Sequence, residues 1–328
     1  MPKTLCSTRL RSLSLATAAV IAVAAYAASS NAALLVYDSF SISGGPGDYL
    51  AGNDSTGTNV LGGQNPVSTP TAFYAGGWIQ NGGDAQAVRQ PGTPGISVMN
   101  YPKFPRAGGL VTDSVEFGCC SFGRDGREIA GGLGSGRGPR TIYQSFLVDF
   151  GNQGTDDPAN YGKRGVEWWN GGIGDSFLAV DLFVNSFSGT NDFTLAATTP
   201  SGTVSAQLNG GGLNLANMSG VHLVVMKFEF DPAAPDVVTA YLDPTDSIES
   251  NWTPAAVVNA PNSDLFISHH GATANFTFSG GGHNPARFDE IRWGDTFADV
   301  TPFLPEPSSL SLMGLSLAGL LLGRRRQF

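Results

Sequence analysis

Residues 221–244, "VHLVVMKFEFDPAAPDVVTAYLDP", constrain the fold of this chain more than any other stretch. Val224, Met226, Phe228 and Phe230 recur at every second position, the period of a strand with one buried face rather than of a helix. Val221, Leu223 and Val225 line the opposite face before it gives way to Lys227 and Glu229. A strand apolar on both faces at one end is central and covered on both sides there. After the six-residue link "DPAAPD", Val237, Thr239 and Tyr241 alternate with Val238, Ala240 and Leu242. Two such runs joined by a loop predict an antiparallel hairpin.

Further runs of the same kind surround it. "RTIYQSFLVDFG" (140–151) and "DSFLAVDLFVNSF" (175–187) read as strands, the second with Leu178, Val180, Leu182 and Val184 on one face. "DFTLAATT" and "TVSAQL" follow across the turn "PSG", and "SDLFISHHG", "ANFTFSG" and "ARFDEIRWGDTFADVTPF" complete the set. From Asp38 to about Arg140 the chain reads as loop, with Ala72-Phe73-Tyr74 and Gly77-Trp78-Ile79 as candidate edge strands. Gly at 44 and Pro at 20 of 328 residues, with charged residues at only 14%, fit turns rather than helices. Aromatics at 10% are too many for a disordered chain. No stretch carries an amphipathic helix period. The expectation is an all-β body, a β-sandwich or jelly roll of roughly a dozen strands.

Both ends read as targeting segments. Residues 1–33 have a basic front (Lys3, Arg9, Arg11), an apolar stretch from Leu13 to Ala28, and A-x-A-like sites at Ala25-Tyr26-Ala27 and Ser30-Asn31-Ala32. That is the pattern of a secretory signal peptide; the alternative is an uncleaved anchor. At the other end Pro305-Glu306-Pro307 precedes an uncharged run to Gly323, closed by Arg324, Arg325 and Arg326. The 17 residues from Pro307 to Gly323 sit at the short end of what a bilayer-spanning helix requires. Arginines prefer the cytoplasmic side, and prolines resist helix continuation, keeping the entrance extended. A short C-terminal transmembrane helix with transient inner-membrane anchoring is predicted; the alternative is a permanent single-span anchor.

The first 33 residues carry three basic groups and no acids, and the segment from Pro305 one acid and three arginines. The body between them keeps 12 basic and 26 acidic residues, a net charge of −14. Such a surface repels nucleic acid and anionic membrane. Cys6 lies in the signal peptide, while Cys119 and Cys120 are adjacent. Neighbouring Cα atoms lie closer than the usual disulfide range. A strained Cys119–Cys120 bridge, two loop thiols, or a link between chains all remain open.

Residues 140–303 resemble the concanavalin A-like (LamG-like) jelly-roll superfamily of secreted bacterial proteins. "GVHLVVMKFEFDPAAPDVVTAYLDPT" and "RFDEIRWGDTFADVTP" carry the resemblance, and the region before it shows the common opener "YDSFS" (37–41). It implies two curved sheets, one of them concave, but leaves function open, because the fold hosts lectins, glycosidases and structural modules. The tail resembles the PEP-CTERM sorting signal, with motif, apolar span and arginine cluster in order over 305–328. That resemblance implies recognition by an exosortase in a Gram-negative bacterium that makes extracellular polysaccharide. The expected organisation is signal peptide 1–33, sandwich 34–304 and sorting signal 305–328.

Residues able to carry chemistry are sparse. Glycosidases of this fold need two carboxylates close together, and Glu167 stands alone, eight residues before Asp175. Asp289, Glu290 and Asp295 follow one another, but Glu290 and Arg292 share a strand face, which predicts an ion pair. The histidines show no ligand spacing: His269 and His270 are adjacent and point to opposite faces, and His222 lies on an apolar strand face. Trp168 and Trp169, read as part of a Gly-rich loop with Asn170 and Asp175 nearby, are candidates for stacking on sugar; the alternative is a ring plugging the sandwich edge. Trp78, Trp252 and Trp293 are expected to pack in or under the core. Asp156 and Asp157 in "NQGTDDPAN" are candidates for Ca²⁺ against a solvated turn; no other cofactor is expected. The chain therefore reads as an exported, non-enzymatic protein of the envelope or biofilm matrix that binds or scaffolds polysaccharide. The alternatives are a glycoside hydrolase or lyase using the concave sheet, and a structural module without ligand.

Overall fold

The segment 221–244 forms the predicted hairpin. In a computed structural model, Val221–Phe230 pairs antiparallel with Val237–Leu242, from Val224 opposite Leu242 to Glu229 opposite Val237. The structure describes residues 34–38, 73–77, 79–81, 87–88, 115–117, 123–134, 136, 140–149, 163–171, 178–185, 190–211, 213, 221–261, 265–274 and 287–301. The signal peptide, the sorting tail, Cys119, Cys120, Asp156, Asp157, Asp175, Trp78 and His283 lie outside the described residues.

Fifteen strands are described: β1 (Leu34–Asp38), β2 (Ile79–Asn81), β3 (Ala87–Val88), β4 (Val115–Phe117), β5 (Gly123–Gly134), β6 (Arg140–Asp149), β7 (Lys163–Trp169), β8 (Leu178–Asn185), β9 (Thr190–Thr199), β10 (Gly202–Gln207), β11 (Val221–Phe230), β12 (Val237–Leu242), β13 (Ala256–Asn259), β14 (Phe266–Ala274) and β15 (Arg287–Gly294). A one-turn helix, α1 (Phe297–Val300), follows the last of them. One sheet runs β13-β12-β11-β6-β15-β4-β3, with β1 also on β15, and the other runs β10-β9-β8-β7-β14-β5-β2. The described pairings are all antiparallel. Two mutually packed antiparallel sheets with little helix make the body a β-sandwich of the jelly-roll kind.

Alternation decides what lies between the sheets. Val224, Met226, Phe228 and Phe230 of β11 enter the main core with Phe146 of β6 and Trp293 of β15. From the other sheet Val166, Trp168, Val180, Leu182, Phe193 and Leu195 meet them. The Trp168 ring stands 5.4 Å from Phe228, and its indole N–H donates to Gln144 Oε1 at 2.8 Å, so a donor drawn into the core is satisfied there. Burial of side chains this size stabilises by about 1.5–3 kcal/mol each.

The opposite face of β11 is buried too. Leu223 and Val225 pack with Tyr143, Leu147, Tyr241, Phe297 and Val300 in a second cluster beneath α1. This explains the doubly apolar end of the strand: β11 lies between β6 and β12, with a core on either side.

The structure corrects the reading of the first half as loop. β5 is a twelve-residue strand in that region, five of its residues glycine, and glycine hid the alternation that places Ile129 and Leu133 in the core. Of the two apolar islands, β2 ends the order of its sheet, and Tyr74 makes a single bridge to Ile129. "AVVN" (256–259), not singled out above, forms β13 beside β12.

Candidate functional site

The two outer faces of the sandwich differ in kind. Over the eight-stranded sheet the centre of the face is apolar and covered by α1, with Lys227, Glu229 and Glu249 at its margin. Over the seven-stranded sheet it is polar, and the registers show how. On β7, Val166 and Trp168 point into the core, leaving Gly165, Glu167 and Trp169 outward by the two-residue period. Glu167 is opposite Asp181 of β8 and Gly271 of β14. Asp181 is opposite Ala196 of β9, which is opposite Ser205 of β10. Gly271 is opposite Gly126 of β5. One row thus crosses six strands: Gly126, Gly271, Glu167, Asp181, Ala196, Ser205.

The neighbouring rows are polar as well. Trp169 is opposite His269, and His269 opposite Glu128. On the other side Thr194 is opposite Gln207, and beyond the central row Thr198 is opposite Thr203. Thr203, Ser205 and Gln207 are exposed. Thr198 and Thr203 hydroxyls lie 3.0 Å apart, and the Gln207 amide donates to Asp192 Oδ2 at 3.0 Å. The middle of this face is deeply buried: Glu167 and Trp169 are 0% exposed and Asp181 6%. Among the described residues Trp169 Nε1 has no hydrogen-bond partner.

Trp168 and Trp169 therefore depart from their predicted setting. Both lie on a strand rather than in a loop, and both are buried, so neither ring lies open to a sugar. The local glycines suggested a loop for another reason: a Cβ on Gly165 would run into the carbonyl oxygen of Leu182 on β8. Gly165 marks a close approach of two strands. Asn170 follows in the turn, half-buried. That turn is tied down by Ser268, whose Oγ accepts from the Gly171 N–H at 2.8 Å and donates to the Gly171 carbonyl at 2.7 Å.

Several other titratable residues make contacts within the fold. Arg292 pairs with Glu290 at 3.1 Å, both buried, and Glu290 also accepts from the Tyr37 hydroxyl at 2.7 Å. His222 Nδ1 lies 2.7 Å from Asp243 Oδ2. His270 is buried beside Tyr74 and Trp293; burial, and then the charge of Arg127, lower its pKa to about 3. Trp293 is fully buried, and Trp252 packs against the second cluster. Among the described residues no group of three His, Cys, Asp or Glu side chains gathers as a metal site.

A cleft of about 570 Å³ opens beside α1, lined among others by Tyr143, Lys227, Ile248, Glu249 and Asp295. Glu249 accepts from Tyr241 at 2.6 Å and Tyr143 at 2.8 Å, and pairs with Lys227 at 3.1 Å. Burial would raise the Glu249 carboxyl, but hydrogen bonds from Tyr241, Tyr143 and Lys227 outweigh it and hold the group below its usual range. Burial would likewise lower Lys227, and its bonds to Glu249 and Glu229 raise it instead. These groups satisfy one another and fasten the turn Glu249–Asn251 to the sheet.

Residues 304–326 match the model of the PEP-CTERM protein-sorting motif. The chain carries a PEP-CTERM sorting signal. The motif implies export to the cell surface or extracellular space, with processing by an exosortase. Among the described residues no helix is long and apolar enough to cross a membrane, and the predicted span Pro307–Gly323 lies outside them. No curated protein matches the chain. Among solved structures it is similar to an endo-β-1,4-glucuronan lyase from the fungus Trichoderma reesei, at 16% identity and TM-score 0.37, covering 59% of this chain and 86% of that one. It is similar also to an endo-1,3-β-glucanase from Streptomyces sioyaensis, at 13% identity and TM-score 0.40, covering 81% and 96%. A third is the binding domain of botulinum neurotoxin serotype D, at 6% identity and TM-score 0.41, covering 74% of this chain and 49% of that one. This chain thus spans about half the length of the neurotoxin chain. The fold assignment rests on the strand registers above.

Proposed function

We propose that the PEP-CTERM signal delivers a non-enzymatic β-sandwich that binds or scaffolds extracellular polysaccharide through the outer face of its seven-stranded sheet. In this reading residues 1–33 direct export, 34–304 are the working body, and 305–328 hold the precursor in the inner membrane until an exosortase removes them. The observation that carries it is the contrast between the outer faces: one has an apolar centre covered by α1, the other carries hydroxyl and amide groups at its β9–β10 end, with Thr203, Ser205 and Gln207 exposed. Short hydroxyl and amide side chains donate and accept hydrogen bonds, as sugar hydroxyls require. Burial of Glu167 away from solvent favours binding over hydrolysis, which needs water at a carboxylate. The test is glycan-array and polysaccharide-retention measurement on mature protein recovered from the producing cells. Retention lost in a Thr203→Ala/Ser205→Ala/Gln207→Ala variant supports the reading; absence of retention by the unaltered protein overturns it. Changing Pro305, Glu306 and Pro307 to alanine should block tail removal and alter fractionation.

One observation favours a second reading, a glycoside hydrolase. Facing residues of an antiparallel pair hold their Cβ atoms about 4.5–5.5 Å apart, and retaining glycosidases hold their two carboxyl groups about 5–5.5 Å apart. Glu167 and Asp181 are such a facing pair. Reducing-sugar release abolished by Glu167→Gln would establish this reading in place of the first.

A further inference from the structure

The last described residues of the body are locked to the sheet. Thr301 is fully buried; its N–H and its hydroxyl both donate to the Phe297 carbonyl, at 3.1 and 2.7 Å. The Ser247 hydroxyl donates to the Thr301 carbonyl. One residue earlier, the Ser145 hydroxyl donates to the Val300 carbonyl at 2.6 Å. The α1 turn carries a capping box between Thr296 and Asp299, and Phe297 stands edge-on to Tyr143 and Tyr241, at 6.1 and 5.4 Å. It packs over β15, β6 and β11, the middle of the eight-stranded sheet.

The sorting motif begins at residue 304, so only residues 302 and 303 separate it from Thr301. Three residues span at most roughly 11 Å, even fully extended. The enzyme that cuts at the motif must therefore come close to the α1 face, unless that face unpacks.

We propose that the α1 face of the eight-stranded sheet is the pole at which the folded precursor contacts its membrane-embedded processing enzyme, and that the polar face of the other sheet points away from the membrane. This rests on the reading of the tail as a sorting signal. The partner is the enzyme rather than the lipid surface. Four acids, Glu229, Asp246, Glu249 and Asp295, stand on or beside this face against two cations, Lys227, paired with Glu229 and Glu249, and Arg140, paired with Asp295, which leaves the balance acidic. An acidic face is repelled by anionic lipid and attracted by a basic protein surface. Ile248, 58% exposed at the cleft beside α1, supplies an apolar contact within this face.

The test uses the full chain in the cells that make it. A photo-crosslinking residue, p-benzoylphenylalanine, replaces Ile248 in one variant and Ser205 in another. Irradiation should join the first to the exosortase and leave the second unjoined. Inserting a twelve-residue Gly-Ser linker between Thr301 and Pro302 should cut the Ile248 product roughly tenfold, because effective concentration falls with about the −3/2 power of linker length, while tail removal continues. Equal adducts from both positions, adducts from Ser205 alone, from neither, or to lipid only would overturn the proposal. Failure of the underlying reading has a separate signature: tail removal unchanged when Pro305, Glu306 and Pro307 are alanine.

Discussion

Glu167 and Asp181 face each other as register partners on β7 and β8, the first fully buried and the second nearly so. Their position in the row that ends at exposed Ser205 separates the two functional readings by mutation. If the face binds without turnover, Glu167→Gln leaves polysaccharide retention within about threefold, under 1 kcal/mol. The Thr203→Ala/Ser205→Ala/Gln207→Ala variant then loses tenfold or more, because net hydrogen bonds contribute about 0.5–1.5 kcal/mol each. If the pair is catalytic, Glu167→Gln abolishes reducing-sugar release while the triple variant mainly weakens binding. Retention and sugar-release assays on the same preparations decide between these patterns.

Glu249 should be the most sensitive residue of the second cluster. Glu249→Gln keeps the shape of the side chain but removes the charge that holds Lys227, Tyr143 and Tyr241. Hydrogen bonds to a charged group contribute roughly 1.5–3 kcal/mol, so a loss of about that size is expected in denaturant unfolding at pH 7. The Glu249 carboxyl is held below its usual range. Its contribution is therefore present above the ordinary glutamate pKa and disappears as pH falls through the lower folded value. The gap between variant and parent should close correspondingly in acid.

The same network makes an alkaline prediction. Burial, followed by the hydrogen bonds to Glu249, pushes the Tyr143 and Tyr241 hydroxyls above the ordinary tyrosine range. Their contribution to stability is complete below pH about 10 and is lost as pH rises through the folded values. In an absorbance titration of the native protein neither residue should ionise with the exposed tyrosines. A Tyr143→Phe/Tyr241→Phe variant should therefore show an unchanged native titration and a smaller signal after unfolding.

What sequence alone revealed follows a physical divide. The β11–β12 hairpin was legible because bulky residues alternate without interruption, and even its doubly buried end was written in Leu223 and Val225. The Glu290–Arg292 pair was legible from its two-residue spacing, and it forms although β15 shifts register against β6 there and Glu290 has a φ of 54°. β5 was not, because five glycines in twelve residues erase the alternation. Nor was the facing of Glu167 and Asp181. Glu167 was weighed against Asp175, its neighbour along the chain, whereas Glu167 and Asp181 meet across strands, through a register that sequence spacing does not fix. The tryptophans misled for a related reason. Glycine beside Trp168 and Trp169 suggested a loop, while Gly165 is there so that β7 can approach β8.

That approach gives a stability prediction. A methyl group at Gly165 would collide with the Leu182 carbonyl and the Phe183 Cα, both backbone atoms. A side chain could turn aside, but paired backbone cannot move without breaking the ladder. Gly165→Ala should cost about 1–3 kcal/mol or more, the range for overpacking. Gly202→Ala tests the specificity of the effect: nothing lies within 4 Å of its Cβ position, but its φ of 136° is itself unfavourable for alanine. Backbone strain of this kind costs on the order of 1–3 kcal/mol, so two destabilised variants are expected. Only Gly165→Ala should also speed hydrogen exchange at the β7–β8 pairing.

His270 gives the body an acid-sensitive core. It packs against Tyr74 and Trp293 with Arg127 close by, and burial followed by the Arg127 charge takes its pKa to about 3. The unfolded chain would bind this proton near pH 6.5. Between those limits the unfolded state holds more protons than the folded one, so stability falls as pH is lowered, by up to about 1.4 kcal/mol per pH unit from this residue. His270→Gln cannot take up the proton in either state. It should be less stable than the parent at pH 8, where the imidazole packs without penalty, and should lose less stability between pH 6.5 and about 3. Carboxylates titrating in the same window are common to both proteins, so the difference between the two pH–stability curves isolates the histidine. Parallel curves would mean that His270 is protonated in the folded protein, or that the core around Arg127 opens before it titrates.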